Sequence, residues 1–216
     1  MTHSFEFILL AVTKVGDNSL VLHTLSGEWG RRSFITGIRK GASLAMFLPM
    51  NILEGVVTEN PRFELWRMGS ITACHSLSGI RGDVKRNTMT LFMSEVLFRI
   101  IKDGASEEGL FQWCRKSILM LDALDQGYAN FHLRWLLELA AAMGFSPSLG
   151  DLAPFAEGYL KEVRELLQRD FAGCMMLPLS GAARNRIAEI LIRYIGVHAE
   201  CNITVRSLAV LRELYS

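Results

Sequence analysis

The chain has 216 residues, half of them hydrophobic and 21% charged, enough apolar material to bury a core and to exclude a disordered polypeptide. Its 23 Lys and Arg balance 22 Asp and Glu to a formal +1. That excludes a globally basic polyanion binder and an acidic solvating tail, but leaves room for a local basic patch. The length allows one large domain or two small ones.

The first fourteen residues carry no basic leader, and Glu6 stands beside a short apolar run, so no signal peptide is expected. Uncharged stretches at residues 41–53 and 171–183 are shorter than the roughly 20 apolar residues of a span. Each also holds a proline, Pro49 and Pro178, so no membrane association is expected. Cys74, Cys114, Cys174 and Cys201 lack C-x-x-C spacing, which points to buried free thiols in a reducing cytoplasm.

In chain order, the pattern begins as strands. Residues 5–15 read as the first, Gly16-Asp17-Asn18 as a turn, and 19–25 as the second. The segment from Ser26 to Gly30 turns into a third at 31–38, Pro49 opens a fourth at 51–58, and Glu59-Asn60-Pro61 turns into a fifth at 63–74. Five short strands in so few residues predict a small closed barrel, because closure removes exposed edges.

From about residue 78 the period becomes helical. Asp83 caps a helix to about Lys102, and Ser106 caps another to about Leu124. Residues 128–143 are apolar nearly all round and predict the central buried helix, ended by Gly144 and Pro147. A fourth helix is expected at 155–169, a fifth from the Ser180 cap to His198, and a last from a Thr204 cap to Tyr215. The expected fold is therefore α+β, a barrel over residues 1–77 and an all-α domain over 78–216.

Charge is unevenly spread. Residues 117–180 hold 4 basic and 8 acidic side chains, while the other segments carry a basic excess, so a nearly neutral molecule can present a basic face. No phosphate loop or nucleophile elbow occurs, and the five histidines lack metal-ligand spacing with any cysteine. Nothing argues for an enzyme. The densest signal is the stretch from Gly30 to Gly41, where Arg31-Arg32 and Arg39-Lys40 flank a strand carrying Phe34. It reads either as a cationic, base-stacking groove for a single strand or as a solvated hairpin whose arginines protect an edge.

These residues resemble the N-terminal domain of the DNA repair protein RecO family. The resemblance rests on Gly16-Asp17-Asn18-Ser19, Leu20-Val21-Leu22-His23-Thr24, Gly27-Glu28-Trp29-Gly30-Arg31 and Gly37-Ile38-Arg39-Lys40-Gly41. It continues in Phe131-His132-Leu133-Arg134-Trp135-Leu136, in Gly144-Phe145-Ser146-Pro147-Ser148-Leu149, and in Arg193-Tyr194 and Arg206-Ser207-Leu208. It implies an oligonucleotide-binding (OB) barrel followed by a helical domain. It also implies a cytoplasmic, nucleoid-associated mediator of recombination that anneals complementary strands and, with RecR, assists RecA loading on DNA coated by single-strand binding protein.

Many family members carry a four-cysteine zinc module between the central and last helices. Here residues 150–180 offer only Cys174, so no zinc and no other cofactor is expected. Arg31, Arg32, Arg39, Lys40, Lys14, Arg67 and Phe34 are the expected contacts to single- and double-stranded DNA. For the tail of single-strand binding protein the resemblance implies Arg134, with Arg115 and Lys116, although Arg134 can equally pair with Glu138 at i, i+4. The rival class is a helical interaction module whose barrel is a docking platform, suited by ten methionines.

Overall fold

β1, Thr2–Val15, is the hub of a closed five-stranded barrel of order β1-β2-β3-β5-β4. The computed structural model describes residues 2–38, 44–60, 62–105, 109–156 and 158–215. The other strands are β2 Ser19–Ser26, β3 Gly30–Gly37, β4 Ile52–Thr58 and β5 Trp66–Ala73. β1 pairs antiparallel with β4 from Thr2 to Ile8 and with β2 from Phe7 to Val15. It serves both because its register shifts between Leu9 and Ala11, a bulge that bends the strand round the barrel. β3 meets β5 in parallel, Phe34 opposite Trp66 and Ile35 opposite Arg67, and this closes the ring.

Alternation fills the interior. Phe5, Phe7 and Leu9 of β1, Leu20 and Leu22 of β2, Phe34, Leu53, Val57 and Met68 form one buried cluster. Each such side chain is worth roughly 1.5–3 kcal/mol when fully buried. Gly55 is required at its place: a Cβ there would stand 2.9 Å from the Met68 sulfur and 3.2 Å from the Phe7 ring. Gly16, at φ 62°, supplies the left-handed turn between β1 and β2.

The expected strands agree closely with these, except that β1 begins at Thr2 rather than residue 5 and β5 at Trp66 rather than residue 63. The chain divides into two compact units. Met1–Ser78 is joined by Ile101–Ile118, and Gly79–Ile100 by Leu119–Ser216, whereas the sequence pattern marks only a change near residue 78. In the first unit the Arg31 amide donates to the Ala105 carbonyl at 2.9 Å, and the Gly104 amide donates to the Arg31 carbonyl at 2.8 Å.

The helices of the second unit follow their caps. After a short α1, Ser78–Arg81, α2 spans Val84–Ile100, with the Asp83 carboxylate accepting from the amides of Lys85 and Arg86. α3, Leu110–Ala123, starts in the first unit and ends in the second; the expected Ser106 cap lies outside the described residues. A 3-10 turn at Tyr128–Asn130 leads into α4, Phe131–Ala142, where eight residues are buried.

Beyond α4 the chain is more broken than the sequence suggests. α5, Leu149–Leu152, runs into a 3-10 turn at Ala153–Phe155 that has proline in its first turn, so α6 is confined to Leu160–Gln168, shorter than the expected 155–169. A short α7, Phe171–Met175, follows. α8, Gly181–His198, has the expected Ser180 cap, whose hydroxyl accepts from the Ala183 amide at 3.1 Å.

The last helix corrects an expectation. α9 is Ser207–Tyr215, and Thr204 does not cap it; the Glu95 carboxylate of α2 accepts from both the amide and the hydroxyl of Ser207. The cysteines are also corrected in part. All four are free, but only Cys114 and Cys174 are buried. Among the described residues no helix is long and apolar enough to cross a membrane.

His132 of α4 is buried between the rings of Phe92, 6.0 Å away, and Tyr215, 6.5 Å away. Burial, with the nearby charge of Arg184, pushes its imidazole down to about 3. In the unfolded chain the group titrates near 6.5, so below that pH the unfolded state takes a proton that the folded state refuses. This contribution is complete above 6.5 and is lost as pH falls toward 3. Denaturant titrations are expected to show a loss of roughly 1.4 kcal/mol between pH 7.5 and pH 5.5 from this group. His132→Leu is expected to flatten that part of the profile, and an unchanged slope would contradict the assignment.

Candidate nucleic-acid interface

At one end of the barrel the interior is closed by rings. Trp29 stands 4.5 Å from Phe5, 5.7 Å from Phe34 and 6.0 Å from Trp66. Alternation puts Arg32 on the same side of β3 as Phe34 and Thr36, so its guanidinium reaches the barrel end rather than solvent. There it stacks over the Trp66 indole at 3.5 Å from the ring centroid. A groove of about 940 Å³ opens beside it, lined by Val21, His23, Trp29, Arg32, Ser33 and Leu65, with the acids Glu28, Glu64 and Asp103.

The strand faces toward this groove are polar and ordered. His23 of β2 is bonded at both ring nitrogens, Nε2 to Thr13 Oγ1 of β1 at 3.0 Å and Nδ1 to Ser33 Oγ of β3 at 2.9 Å. Burial first, and then the Arg31 charge, lowers its pKa from the ordinary histidine value. An imidazole kept neutral in this way can exchange hydrogen bonds with uncharged groups without adding repulsion to a cationic rim.

The expected DNA contacts are placed unequally. Lys14 on β1 and Arg67 on β5 are exposed, and Arg67 lies at the closing seam opposite Ile35. Arg32 is half-buried on Trp66. Arg31 is tied down: its guanidinium donates to the Ile101 carbonyl, and its backbone is bonded to residues 104 and 105. Arg39 and Lys40 lie outside the described residues. Phe34 is a correction. It is fully buried in the barrel core, so it cannot stack on a base without opening the barrel.

Sequence reasoning passes over the loop between β4 and β5. Arg62 there is exposed and Phe63 is 64% exposed, the latter on a turn where its amide donates to the Asn60 carbonyl at 3.0 Å. The signal was present as a basic residue beside an aromatic one in a polar loop, the pairing used by single-strand binders. Trp66 was missed for a different reason, since its partner Arg32 is distant in sequence.

The expected partner-binding residues are separated by the fold. Arg115 belongs to the first unit, where its Nε donates to the Glu6 carboxylate at 3.0 Å and its Nη2 lies 3.2 Å from His75 Nε2. Lys116 beside it is exposed. Arg134 belongs to the second unit. Its Nε donates to Glu138 at 2.7 Å and its Nη1 to the Arg169 carbonyl at 3.0 Å. Burial opposes its charge, but the Glu138 carboxylate outweighs that and raises its pKa above the ordinary value.

The residues present do not fit a structural zinc. Cys174 is buried and its Sγ faces the Leu166 carbonyl at 3.3 Å. Among the described residues no three His, Cys, Asp or Glu gather as a metal set.

The strand order of the closed barrel defines a protein of the OB-barrel class with an appended helical unit. Residues 81–153 match the family model described as recombination protein O C terminal. The chain is 24% identical to the DNA repair protein RecO of Phocaeicola vulgatus, over 97% of each chain. It is 25% identical to that of Bacteroides fragilis, over 96% of this chain and 97% of that protein. To that of Porphyromonas gingivalis it is 29% identical, over 66% of this chain and 60% of that protein. Over nearly its whole length the chain is thus similar to DNA repair proteins of the RecO family.

Arg134 and Glu138 are the only half-buried long polar side chains on an otherwise apolar stretch of α4, so their pair holds two charges that would otherwise lose solvent unpaired. Arg134→Ala is expected to destabilise the protein by about 1–2 kcal/mol, between the value of an exposed pair and that of a charged hydrogen bond. Tm should fall by several degrees for a chain of this size. A Tm equal to wild type would show that the pair carries no stability.

Proposed function

We propose that the protein binds single-stranded DNA on its barrel, anneals complementary strands and, with RecR, assists RecA loading on DNA coated by single-strand binding protein. The observation that supports the reading is a closed barrel in OB order that stacks Arg32 on Trp66 beside a groove and carries exposed Lys14, Arg62 and Arg67, in a chain similar to DNA repair proteins. Such barrels bind through the β2–β3 face and the loops after β1 and β4, and of these the β2–β3 face and the loop after β4 line this groove. Function is binding and handover, and no catalytic residue is assigned. Double-stranded DNA is held by the same cationic contacts, which do not depend on base access.

Within the cationic set, Arg39 and Lys40 continue from β3 and complete the phosphate contacts. Arg31, bonded to the Ile101 carbonyl, positions this strand rather than gripping phosphate. The helical unit receives the tail of single-strand binding protein. On that reading the terminal carboxylate of the tail replaces Glu138 on Arg134, exchanging a single charged hydrogen bond for a bidentate one.

Anisotropy titrations of labelled single strands at several salt concentrations test the barrel assignment. Each lost phosphate contact reduces the logarithmic salt slope by roughly 0.7, so Arg39→Ala with Lys40→Ala is expected to lower it by about 1.4 and to weaken binding. Unchanged affinity and slope in a folded double variant would overturn the cationic assignment. Salt-insensitive association would favour the docking-platform class instead.

A further inference from the structure

We infer that Phe63, on the loop between β4 and β5, stacks on an unpaired base and makes the barrel prefer single strands to duplex. This rests on the reading that the barrel binds DNA, and it assigns the discriminating residue within that site.

The position of the ring is set by the chain. The Asn60 side chain accepts from the Arg62 amide at 3.2 Å, and its carbonyl accepts from the Phe63 amide at 3.0 Å. These two bonds make the loop a defined turn, which lowers the ordering needed when a ligand arrives. The turn holds a large apolar ring 64% exposed, outside the buried barrel cluster, with Leu65 also 39% exposed beside it. Three residues on, Trp66 is already covered by Arg32. Among the described residues Phe63 is the aromatic side chain that stands exposed, next to Glu64 and Leu65 of the groove.

Charge decides what the ring meets. Arg62 precedes it, and Arg67 follows on β5, so a polyanion is drawn to the loop. Inside the adjoining groove Glu28, Glu64 and Asp103 stand with Val21, Trp29 and Leu65. A phosphate is repelled from those acids, whereas an uncharged base is not. The strand therefore lies with its phosphates toward the arginines and its bases toward Phe63 and the groove. An apolar protein segment would gain nothing from the flanking arginines, and a duplex has no free base face to offer.

Every base has a π-face, so the contact is tolerant of sequence. It adds to phosphate binding without changing the number of counterions released, and the two contributions separate experimentally.

The test compares wild type, Phe63→Ala and Phe63→Trp of the full chain in titrations with labelled single-stranded and duplex oligonucleotides at several salt concentrations. Phe63→Ala is expected to weaken single-strand binding about tenfold, with an unchanged salt slope, unchanged duplex affinity and an unchanged Tm. Phe63→Trp is expected to restore single-strand affinity. Equal single-strand affinity in wild type and Phe63→Ala would overturn the stacking assignment and leave the barrel reading standing. Equal losses on single strand and duplex would also overturn it, in favour of a contact that ignores base pairing. Wild type that binds neither oligonucleotide would overturn the barrel reading itself.

Discussion

Between β3 and β5 the barrel is closed by a parallel pairing of two residue pairs, Phe34 with Trp66 and Ile35 with Arg67. Parallel rungs are slightly weaker than antiparallel ones, and a seam this short needs side chains to hold it. Phe34 fills the inside, Trp29 bridges Phe34 and Trp66, and Arg32 lies across the Trp66 face. Removing any of these would open the barrel at the point where β3 turns toward its basic end. Two of the groups that seal the fold, Trp29 and Arg32, thus also line the groove. The candidate interface is a consequence of how the ring closes, not a patch added to a finished scaffold.

That dependence explains which parts of the site were legible. β2 and β3 were read to within a residue, because turn residues punctuate them: Gly16-Asp17-Asn18 before β2 and Gly27-Glu28-Trp29 before β3. The basic character of β3 was also legible. What failed was the side of the strand. Period-two alternation puts Arg32, Phe34 and Thr36 together and Arg31, Ser33 and Ile35 opposite, and the burial of Phe34 and Thr36 shows which side is inward. Phe34 is no stacking surface because it packs inside the barrel with Phe5 and Phe7. Arg31 was misjudged because its partner, the Ile101 carbonyl, is seventy residues away and carries no sequence signal.

In the helical unit, capping chemistry was the dependable signal and hydrophobic period the weaker one. Asp83 and Ser180 start α2 and α8 because their side chains accept from the first free amides. Thr204 failed as a cap because Glu95 of a distant helix supplies the acceptor at Ser207 instead. The segment around Pro147 and Pro154 was read as one long helix after a loop. It is several short pieces, since proline cannot donate within a helix interior and Ser148 with Asp151 forms its own capping box. At Arg134 the sequence offers both alternatives, and the i, i+4 acid holds the guanidinium. Local sequence identifies such a pair but not whether a ligand carboxylate can displace it.

The charge balance constrains how such a protein can hold DNA. At a formal +1 there is no molecule-wide field to draw in a polyanion. Attraction must come from a few cations within about one Debye length of the strand, roughly 8–10 Å in physiological salt. Binding of that kind is short-ranged and strongly salt-dependent, so a strand held by it leaves readily when a competing partner offers more contacts. Contacts to phosphate do not distinguish paired from unpaired strands, whereas an exposed ring does, because pairing removes the base face it needs. A barrel combining few phosphate contacts with an open ring therefore loses hold of its ligand as that ligand becomes duplex. On the proposed reading, annealing would itself release the strand from Phe63, because pairing removes the base face that the ring needs.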